Sequence, residues 1–189
     1  MQNKDDGFYI EKVLNGEAAA YAILVEKHKT LVYNIALKIV KKPEDAEEIT
    51  QDAFVKAYRS LRSFKGDSRF STWLYRIVYN TSITFIRKKQ REVPVDNESS
   101  EIMLKNPDLI DDDGSTNSEF LTTALKMAVD ALPPSEQTII TLYYYDNSSV
   151  EDIAKIMSLS VSNVKVKLFR TRKKLYDQIR LIMNKEISV

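Results

Sequence analysis

Apolar residues recur at helical spacing along most of the chain. The longest stripe covers residues 17–40 and ends at Lys41-Lys42-Pro43, and this spacing is typical of an amphipathic helix. Pro43 suits the first position of a second helix, and the acidic residues after it interact favourably with a helix N-terminus. With four glycines and five prolines in 189 residues, the pattern predicts an all-α protein whose second helix ends near residue 61.

A polar loop that contains Gly66 separates the second helix from a third. The loop covers residues 64–70 and has a phenylalanine at each end. Ser71 or Thr72 is expected to cap the third helix, because a side-chain hydroxyl accepts a hydrogen bond from a free backbone N–H there. The apolar spacing predicts that this helix continues through residue 89.

The helical pattern stops between residues 92 and 118, where acidic residues, serine, asparagine, Gly114 and two prolines predominate. Such a composition does not bury a core and is typical of a flexible connector. We therefore predict two small helical domains, residues 1–91 and 120–189, joined by a flexible acidic linker at residues 92–119.

Four helices are predicted in the second domain, at residues 120–131, 135–145, 150–157 and 161 to about 184. Ser149 and Asp152 have the spacing of a capping box, and Ser160 is expected to cap the last helix. Only residues 158–160 separate the last two helices. A turn this short predicts a helix-turn-helix whose second helix is long and basic.

Charge is segregated along the chain, although the net charge is only +1. Lys and Arg outnumber Asp and Glu by 16 to 11 in residues 1–90 and by 10 to 7 in residues 120–189, whereas residues 91–119 hold 2 basic and 9 acidic residues. The distribution of charge determines where a polyanion binds. Two positive surfaces that flank a negative connector indicate a protein that holds nucleic acid at two places.

Several function classes have no support in the sequence. The chain has no cysteine, which excludes disulfides and cysteine nucleophiles, and it shows no phosphate-binding loop, metal cluster or nucleophile–base set. We therefore expect no enzymatic activity, cofactor, metal or small-molecule substrate. His28, the only histidine, fits a surface or interfacial position better than a catalytic one.

Acidic residues near the N-terminus and short apolar runs predict a cytoplasmic protein without a signal peptide or membrane span.

The last helix combines an apolar stripe with a dense run of basic residues. Val164, Leu168 and Leu175 recur at helical spacing, and six Lys and Arg fall within residues 165–174. A solvated charged helix shows the same run, but the short turn before it favours DNA binding, with the first half of the helix in a major groove. The groove-facing candidates are Ser162, Asn163, Lys165, Val166, Phe169 and Arg170, and the phosphate-contacting candidates are Lys167, Arg172 and Lys173.

Aromatic and basic residues are interleaved in the helix at residues 70–91. This mixture suits unpaired DNA, because bases stack on aromatic rings while cations follow the phosphates. Core packing explains the aliphatic residues better, whereas Trp73 and Tyr75 fit either role. Asn80 and Thr84 lie four residues apart, hence on one face, where an amide and a hydroxyl can read base edges.

Several motifs together resemble conserved regions of bacterial sigma factors of the extracytoplasmic-function (ECF) group. Three segments resemble the second region of that family: residues 45–58, the loop Phe64-Lys65-Gly66-Asp67-Ser68, and residues 70–77, which begin Phe70-Ser71-Thr72-Trp73. Two features resemble the fourth region: the segment Ala131-Leu132-Pro133-Pro134-Ser135-Glu136 and the helix-turn-helix. The motifs occur in the family's order and cover nearly the whole chain outside the linker.

The resemblance implies a non-enzymatic initiation subunit that recognises two promoter elements and helps to open the duplex. Its expected partners are core RNA polymerase, double- and single-stranded promoter DNA, and an anti-sigma factor, which in this family is commonly membrane-bound. The residues that match the polymerase-binding helix of the family are Glu48, Gln51, Asp52 and Phe54.

The resemblance also assigns DNA contacts. The loop at residues 65–69 matches the element that captures a flipped base of the minus-ten element, and Asn80 matches a position that contacts this base. Extruding a base costs on the order of a few kcal/mol, so a pocket for it traps a transient opening. Lys165, Val166, Phe169 and Arg170 fall where the family reads the minus-thirty-five element. The complete minus-ten set is Lys65, Gly66, Asp67, Ser68, Arg69, Trp73, Arg76, Asn80, Thr84, Arg87 and Lys88.

Two positions depart from the family pattern. Ser158 stands in the turn where a glycine is frequent, and Val166 stands where a small polar residue is common. Neither threatens the fold, but the base preference of the family does not transfer to this chain. The acidic linker suits a connector that threads through positively charged RNA-exit space, although a solubilising tether explains its composition nearly as well.

Two other classes of function compete with this interpretation. A stand-alone helix-turn-helix regulator binds duplex DNA by itself, usually as a dimer on a palindrome, and would need a ligand pocket or dimer interface in its first domain. A helical adaptor that sequesters a protein through the acidic helix at residues 44–52 would leave both basic helices unused. The aromatic, basic helix of the first domain favours the sigma factor.

Overall fold

The computed structural model describes residues 5–92 and 116–186, and all regular elements in these two ranges are helices. The first range contains α1 (Asp6–Leu14), α2 (Ala20–Val40), α3 (Pro43–Ser60), the short 3-10 turn Leu61–Ser63 and α4 (Phe70–Glu92). The second contains α5 (Thr116–Asp130), α6 (Pro134–Ile140) with a π-helical turn (Thr141–Tyr145), α7 (Val150–Met157) and α8 (Val161–Glu186). The predicted all-α fold is confirmed. None of these helices is both long and apolar enough to cross a membrane.

Helices α2, α3 and α4 pack together in the first domain, and α1 lies against α2. The residues fully buried there include Leu24, Ile35, Ile49, Leu61 and Leu74. Each such side chain contributes roughly 1.5–3 kcal/mol on leaving water. The apolar stripes that predict these helices are therefore the faces that hold the domain together.

Serine caps define where α7 and α8 of the second domain begin. The Ser149 Oγ accepts a hydrogen bond from the Asp152 backbone N–H at 3.0 Å, and its hydroxyl donates to the Asp152 carboxylate at 2.7 Å. The Ser160 Oγ accepts from the Asn163 N–H at 3.2 Å. Both predicted caps are confirmed, and the predicted helix-turn-helix is formed by α7 and α8.

The predicted cap of α4 is wrong. The helix begins at Phe70, so Ser71 and Thr72 lie inside its first turn. The Phe70 ring packs on Phe64 and Trp73, with centroid distances of 5.9 and 5.7 Å. This aromatic packing, which a local capping signal does not contain, fixes the start of the helix.

Two helical segments lie where the sequence predicts none. α1 has nine residues and one buried residue, Ile10, too short a segment to show a clear period. α5 begins at Thr116, four residues before the predicted start and inside the predicted linker. Residues 93–115 of that linker lie outside the described residues.

The two domains lie against each other. α7 packs across α4, and α6 packs against α2. One hydrophobic cluster includes Leu24 and Leu74 of the first domain and Ile153 and Leu168 of the second. The buried faces of α2 and α4 therefore serve the contact between domains as well as the first domain itself.

Candidate nucleic-acid interface

α4 presents an exposed polar stripe along one face. Arg76, Asn80 and Thr84 are four residues apart, and Arg87 and Lys88 continue the stripe one turn later, all of them exposed. The Thr84 hydroxyl donates to the Asn80 carbonyl oxygen at 2.8 Å, so Thr84 offers acceptor lone pairs to a ligand. The Asn80 amide can both donate and accept. Apart from Trp73, all the predicted minus-ten residues of α4 therefore lie along one exposed stripe.

The loop before α4 and the start of that helix border a pocket of about 390 Å³, a size that suits one small ligand. Gly66 has a φ of 78° and no atom within 4 Å of an added Cβ, so its backbone conformation, not a lack of space, requires glycine. The residues that line the pocket include Phe64, Lys65, Asp67, Ser68, Trp73, Arg76 and Lys155. Lys155 belongs to α7, and its presence here could not be read from the local sequence.

Aromatic rings form one wall of this pocket. The Trp73 ring lies 5.4 Å from the Phe64 ring between centroids and is half-buried. Arg69, which directly precedes α4, is exposed but does not line the pocket, whereas Lys65, Arg76 and Lys155 do. Rings and cations at one opening are the groups that hold an unpaired nucleotide, because the base stacks while the phosphate pairs with the cation.

Tyr75 does not belong to this aromatic surface, because only 2% of it is exposed. Its hydroxyl donates to Asp146 Oδ1 at 3.3 Å. Burial, together with the neighbouring Asp146 carboxylate, raises the pKa of Tyr75 well above its usual range, so the hydroxyl stays protonated. Of the two aromatic residues that fit either role, the structure assigns Tyr75 to the core and leaves Trp73 at the pocket.

His28 is buried among three helices. Its Nε2 lies 3.1 Å from Asp6 Oδ2 of α1, and its Nδ1 lies 3.5 Å from the Tyr75 hydroxyl of α4. Of the two positions that the sequence predicts, surface or interfacial, the structure shows the second, because His28 is buried between helices. Within the described residues, no group of three or more His, Asp or Glu could hold a metal ion.

The acidic face of α3 is open. Glu48, Gln51 and Asp52 are exposed, whereas Phe54 is only 7% exposed. Phe54 instead contributes to a groove of about 770 Å³, which is also lined by Tyr21 and Val25 of α2 and by Val55 and Tyr58 of α3. The sequence could not indicate this groove, because it depends on how α2 and α3 pair.

α8 separates a buried face from an exposed one as its apolar spacing predicts. Val164, Leu168 and Thr171 are buried, and Lys167 is half-buried. The Phe169 ring is 70% exposed, which leaves it available for apolar contact with a base. The other predicted contact residues of α8 are all exposed: Ser162, Asn163, Lys165, Val166, Arg170, Arg172 and Lys173.

Arg172 has partners in the π-helical turn. Its guanidinium carbon lies 5.2 Å from the Tyr143 ring centroid and 5.6 Å from that of Tyr144, which are distances of cation–π contacts. The Arg172 Nε also donates to the Tyr144 hydroxyl at 2.8 Å. Sequence reasoning missed this role of the tyrosines, because the contact joins residues 28 positions apart.

Comparison with known protein families matches both halves of the chain. Residues 24–92 match the family model of sigma-70 region 2, and residues 122–175 match that of sigma-70 region 4. The first range contains the exposed stripe of α4 and the acidic face of α3. The second contains the helix-turn-helix.

Relatives extend over nearly the whole chain. The ECF RNA polymerase sigma-E factor of Haemophilus influenzae is 34% identical over 188 residues, which cover 94% of this chain and 97% of that protein. The structure of CnrH in complex with the cytosolic domain of CnrY has the same fold, with a TM-score of 0.66, 20% identity and coverage of 94% and 99% of the two chains. The sigma factor RpoE of Bartonella quintana, solved with the anti-sigma factor NepR, has a TM-score of 0.59, 24% identity and coverage of 83% and 96%.

Proposed function

We propose, since the chain belongs to the ECF sigma factors of bacterial RNA polymerase, that its exposed faces on α4 and α8 bind the two elements of one promoter. A sigma factor is a transcription-initiation factor that acts in promoter recognition, not a catalyst. The observation that carries the proposal is the pair of polar, cationic helix faces, one in each family-matched region. A stand-alone regulator does not account for the first of these faces.

The α4 face and the adjoining pocket bind the opened minus-ten element in this proposal. A base that leaves the stack enters the pocket between the loop and Trp73, and Asn80 hydrogen-bonds to its edge. Arg76, Arg87 and Lys88 lie along the path of the strand and pair with its phosphates. Because unstacking costs on the order of a few kcal/mol, binding of the extruded base stabilises an opening that arises by thermal fluctuation.

The α8 face binds the minus-thirty-five element as duplex DNA. In this proposal Lys165 and Arg170 contact base edges in the major groove, while Val166 and Phe169 contact a thymine methyl group. Lys167, Arg172 and Lys173 pair with phosphates, which position the helix without reading sequence.

Core RNA polymerase binds the acidic face of α3 in the same proposal. Glu48, Gln51 and Asp52 supply the polar contacts, and the groove beside Phe54 takes an apolar side chain of the polymerase.

The domain limits that we propose are residues 1–91 and 120–189, and the site of action is the cytoplasm, where RNA polymerase works. The anti-sigma factor bound to the Bartonella quintana relative supports an anti-sigma partner for this chain, which can be membrane-bound.

Asn80→Ala tests the function of the α4 face. The variant, assembled with core RNA polymerase, should lose promoter opening, measured by permanganate reactivity of unpaired thymines, and should keep protection of the minus-thirty-five element in a footprint. Asn34→Ala is the matched control, because Asn34 is an exposed asparagine of α2 and does not belong to the α4 stripe. Equal loss of opening and of minus-thirty-five protection by Asn80→Ala would contradict the assignment.

A further inference from the structure

The aromatic wall of the proposed minus-ten pocket, formed by Phe64 and Trp73, packs on a third ring that is buried. Phe70 is only 3% exposed and does not line the pocket. Its ring centroid lies 5.9 Å from that of Phe64 and 5.7 Å from that of Trp73. The two rings of the wall are 5.4 Å apart between centroids, so both of them share one buried support.

His28 of α2 contacts this support directly. The His28 and Phe70 ring centroids are 5.5 Å apart and their planes are inclined by 60°, which is the edge-to-face arrangement that aromatic pairs prefer. The imidazole also lies 6.2 Å from the Tyr75 ring between centroids, and its Nδ1 lies 3.5 Å from the Tyr75 hydroxyl. One side chain thus contacts the first two turns of α4, which carry Trp73 and Arg76.

Asp6 of α1 fixes the orientation of the imidazole. Its Oδ2 lies 3.1 Å from His28 Nε2, and its Oδ1 accepts a hydrogen bond from Lys27 at 2.7 Å. Burial by itself would raise the pKa of Asp6, but the hydrogen bonds from His28 and Lys27 lower it, so the carboxylate is ionised at neutral pH and can only accept. The His28 Nε2 therefore carries a proton and donates it to Asp6, which sets the direction in which the ring faces.

α1 also lies against the segment that leads into the other ring of the wall. It packs on the 3-10 turn Leu61–Ser63, which directly precedes Phe64. Leu61 of this turn is only 1% exposed. α1 is therefore connected to the wall at two points, through His28 to Phe70 and through the turn to Phe64.

A wall that is held in place favours the binding of an unpaired base. Trp73 is only half-buried, so its ring has room to move if the packing behind it is lost. Ordering a loose side chain when a ligand binds lowers the affinity for that ligand. A ring that is already fixed avoids this cost when a base stacks on it.

We propose that His28, oriented by Asp6, is a positioning residue of the minus-ten pocket, because it holds Phe70 and thereby the wall on which the unpaired base stacks. His28 itself contacts no DNA. The effect on base capture rests on the proposed function, whereas the support of the wall does not. α1 lines no part of the pocket, yet the proposal makes it part of the machinery for capturing the base.

Fluorescence of the free, full-length chain tests the support of the wall. Trp73 is the only tryptophan of the chain, so quenching of its emission by acrylamide reports how exposed the wall is. His28→Ala should raise the quenching constant and shift the emission to longer wavelength, because the unsupported ring meets more water. His28→Phe, which keeps a ring against Phe70, should restore most of the parent signal.

Asp6→Ala is the milder variant, which keeps the imidazole and removes its partner. It should raise the quenching constant less than His28→Ala does, and it tests the proposal even if His28→Ala does not fold. Asp5→Ala is the matched control. Asp5 is exposed, and its side chain forms no capping hydrogen bond, so its loss should leave the fluorescence of Trp73 unchanged.

Binding by the holoenzyme, which is the chain assembled with core RNA polymerase, tests the effect on base capture. One promoter fragment has its minus-ten element already unpaired, and a second contains only the minus-thirty-five duplex. His28→Ala should weaken binding to the first fragment by about 2- to 10-fold, the effect of losing one aromatic pair, and should bind the second as the parent does. His28→Phe should recover most of the lost affinity.

The possible outcomes separate the steps of the proposal. Unchanged quenching in both His28→Ala and Asp6→Ala, or no recovery in His28→Phe, would overturn the support of the wall. Higher quenching without weaker binding to the unpaired fragment would overturn the role in base capture, and so would an equal loss on both fragments, which indicates general damage to the fold. Failure of the parent holoenzyme to bind either fragment would reject the proposed function, while quenching would still decide whether His28 supports the wall.

Discussion

At Ser158 the turn between α7 and α8 requires a backbone conformation that L residues rarely adopt. Its φ and ψ of 55° and 45° lie in the left-handed region, which costs an L residue roughly 1–2 kcal/mol relative to the right-handed form. Ser158→Gly should therefore raise the free energy of unfolding by about 0.5–1 kcal/mol, part of the relief being offset by the greater freedom of glycine in the unfolded chain. The midpoint of urea unfolding measures the effect.

Ser149→Gly is the control for this prediction. Ser149 has a φ of −66°, so glycine relieves no strain there, and the lost cap should lower the free energy of unfolding by about a few tenths of a kcal/mol. A gain of stability at both positions would show that the left-handed conformation of Ser158 is not its cause.

Arg170 should determine sequence preference at one position of the minus-thirty-five element. It is exposed on the first half of α8, where a recognition helix meets base edges. Arg170→Ala should reduce discrimination at one base pair by about 1–3 kcal/mol, measured as relative affinity for a set of single-base promoter variants. Lys173→Ala, at a proposed phosphate contact, should weaken binding to all of these variants alike. An unchanged preference in Arg170→Ala would make Arg170 a phosphate contact too.

Helices with local start signals could be predicted from the sequence, and helices fixed by tertiary packing could not. The caps of α7 and α8 depend on a serine and the backbone of a residue three positions later, so their signal is local. The start of α4 depends on Phe70 packing on Phe64 and Trp73. The nine-residue α1 is held by contact with α2, which no local pattern contains.

Contacts between elements limited the prediction of the candidate site in the same way. The stripe of Arg76, Asn80 and Thr84 follows from helical spacing alone and is exposed as expected. The assignment of Tyr75 to the core depends on α7 lying across α4. The contact of Lys155 with the pocket depends on the same packing.

The π-helical turn should hold Arg172 of α8 in position to pair with a DNA phosphate. Tyr144→Phe removes the hydroxyl that accepts from Arg172 Nε at 2.8 Å but keeps the ring on which the guanidinium packs. If Arg172 pairs with a phosphate, its looser placement should weaken binding to a minus-thirty-five duplex. The slope of log affinity against log salt concentration should also become shallower, by up to about one unit. Sequence preference should not change.

Tyr145→Phe is the matched control for this contact, because Tyr145 ends the same turn and is exposed. It should leave both affinity and salt dependence as in the parent. If Tyr144→Phe behaved like Tyr145→Phe while Arg172→Ala flattened the salt dependence, Arg172 would contact phosphate without help from the tyrosine.

At the scale of the whole molecule, the sequence predicts two domains but not their contact. Charge segregation and the loss of apolar spacing after residue 92 mark the separation along the chain. The partners Lys38 and Asp130 are 92 positions apart, and Tyr75 and Asp146 are 71 apart, so neither pair leaves a periodic signal. Docking is a property of the assembled surfaces, and only the structure reveals it.

The acid stability of the whole fold should depend on Asp6 of α1, which pairs with His28 and Lys27 of α2. Burial by itself would raise the pKa of Asp6, but hydrogen bonds from His28 and Lys27 outweigh this effect and hold the pKa below its usual value. A carboxyl whose pKa is lower in the folded chain stabilises it above the unfolded pKa, and this contribution is lost as pH falls through the folded pKa. Asp6→Asn should therefore be less stable than the parent at pH 6, and the difference should shrink below about pH 4. Urea unfolding at a series of pH values measures this difference, and Asp5→Asn, at an exposed neighbour, is the control that should show no such convergence. A difference that stayed constant down to pH 3 would mean that Asp6 stabilises the fold by packing and not by its charge.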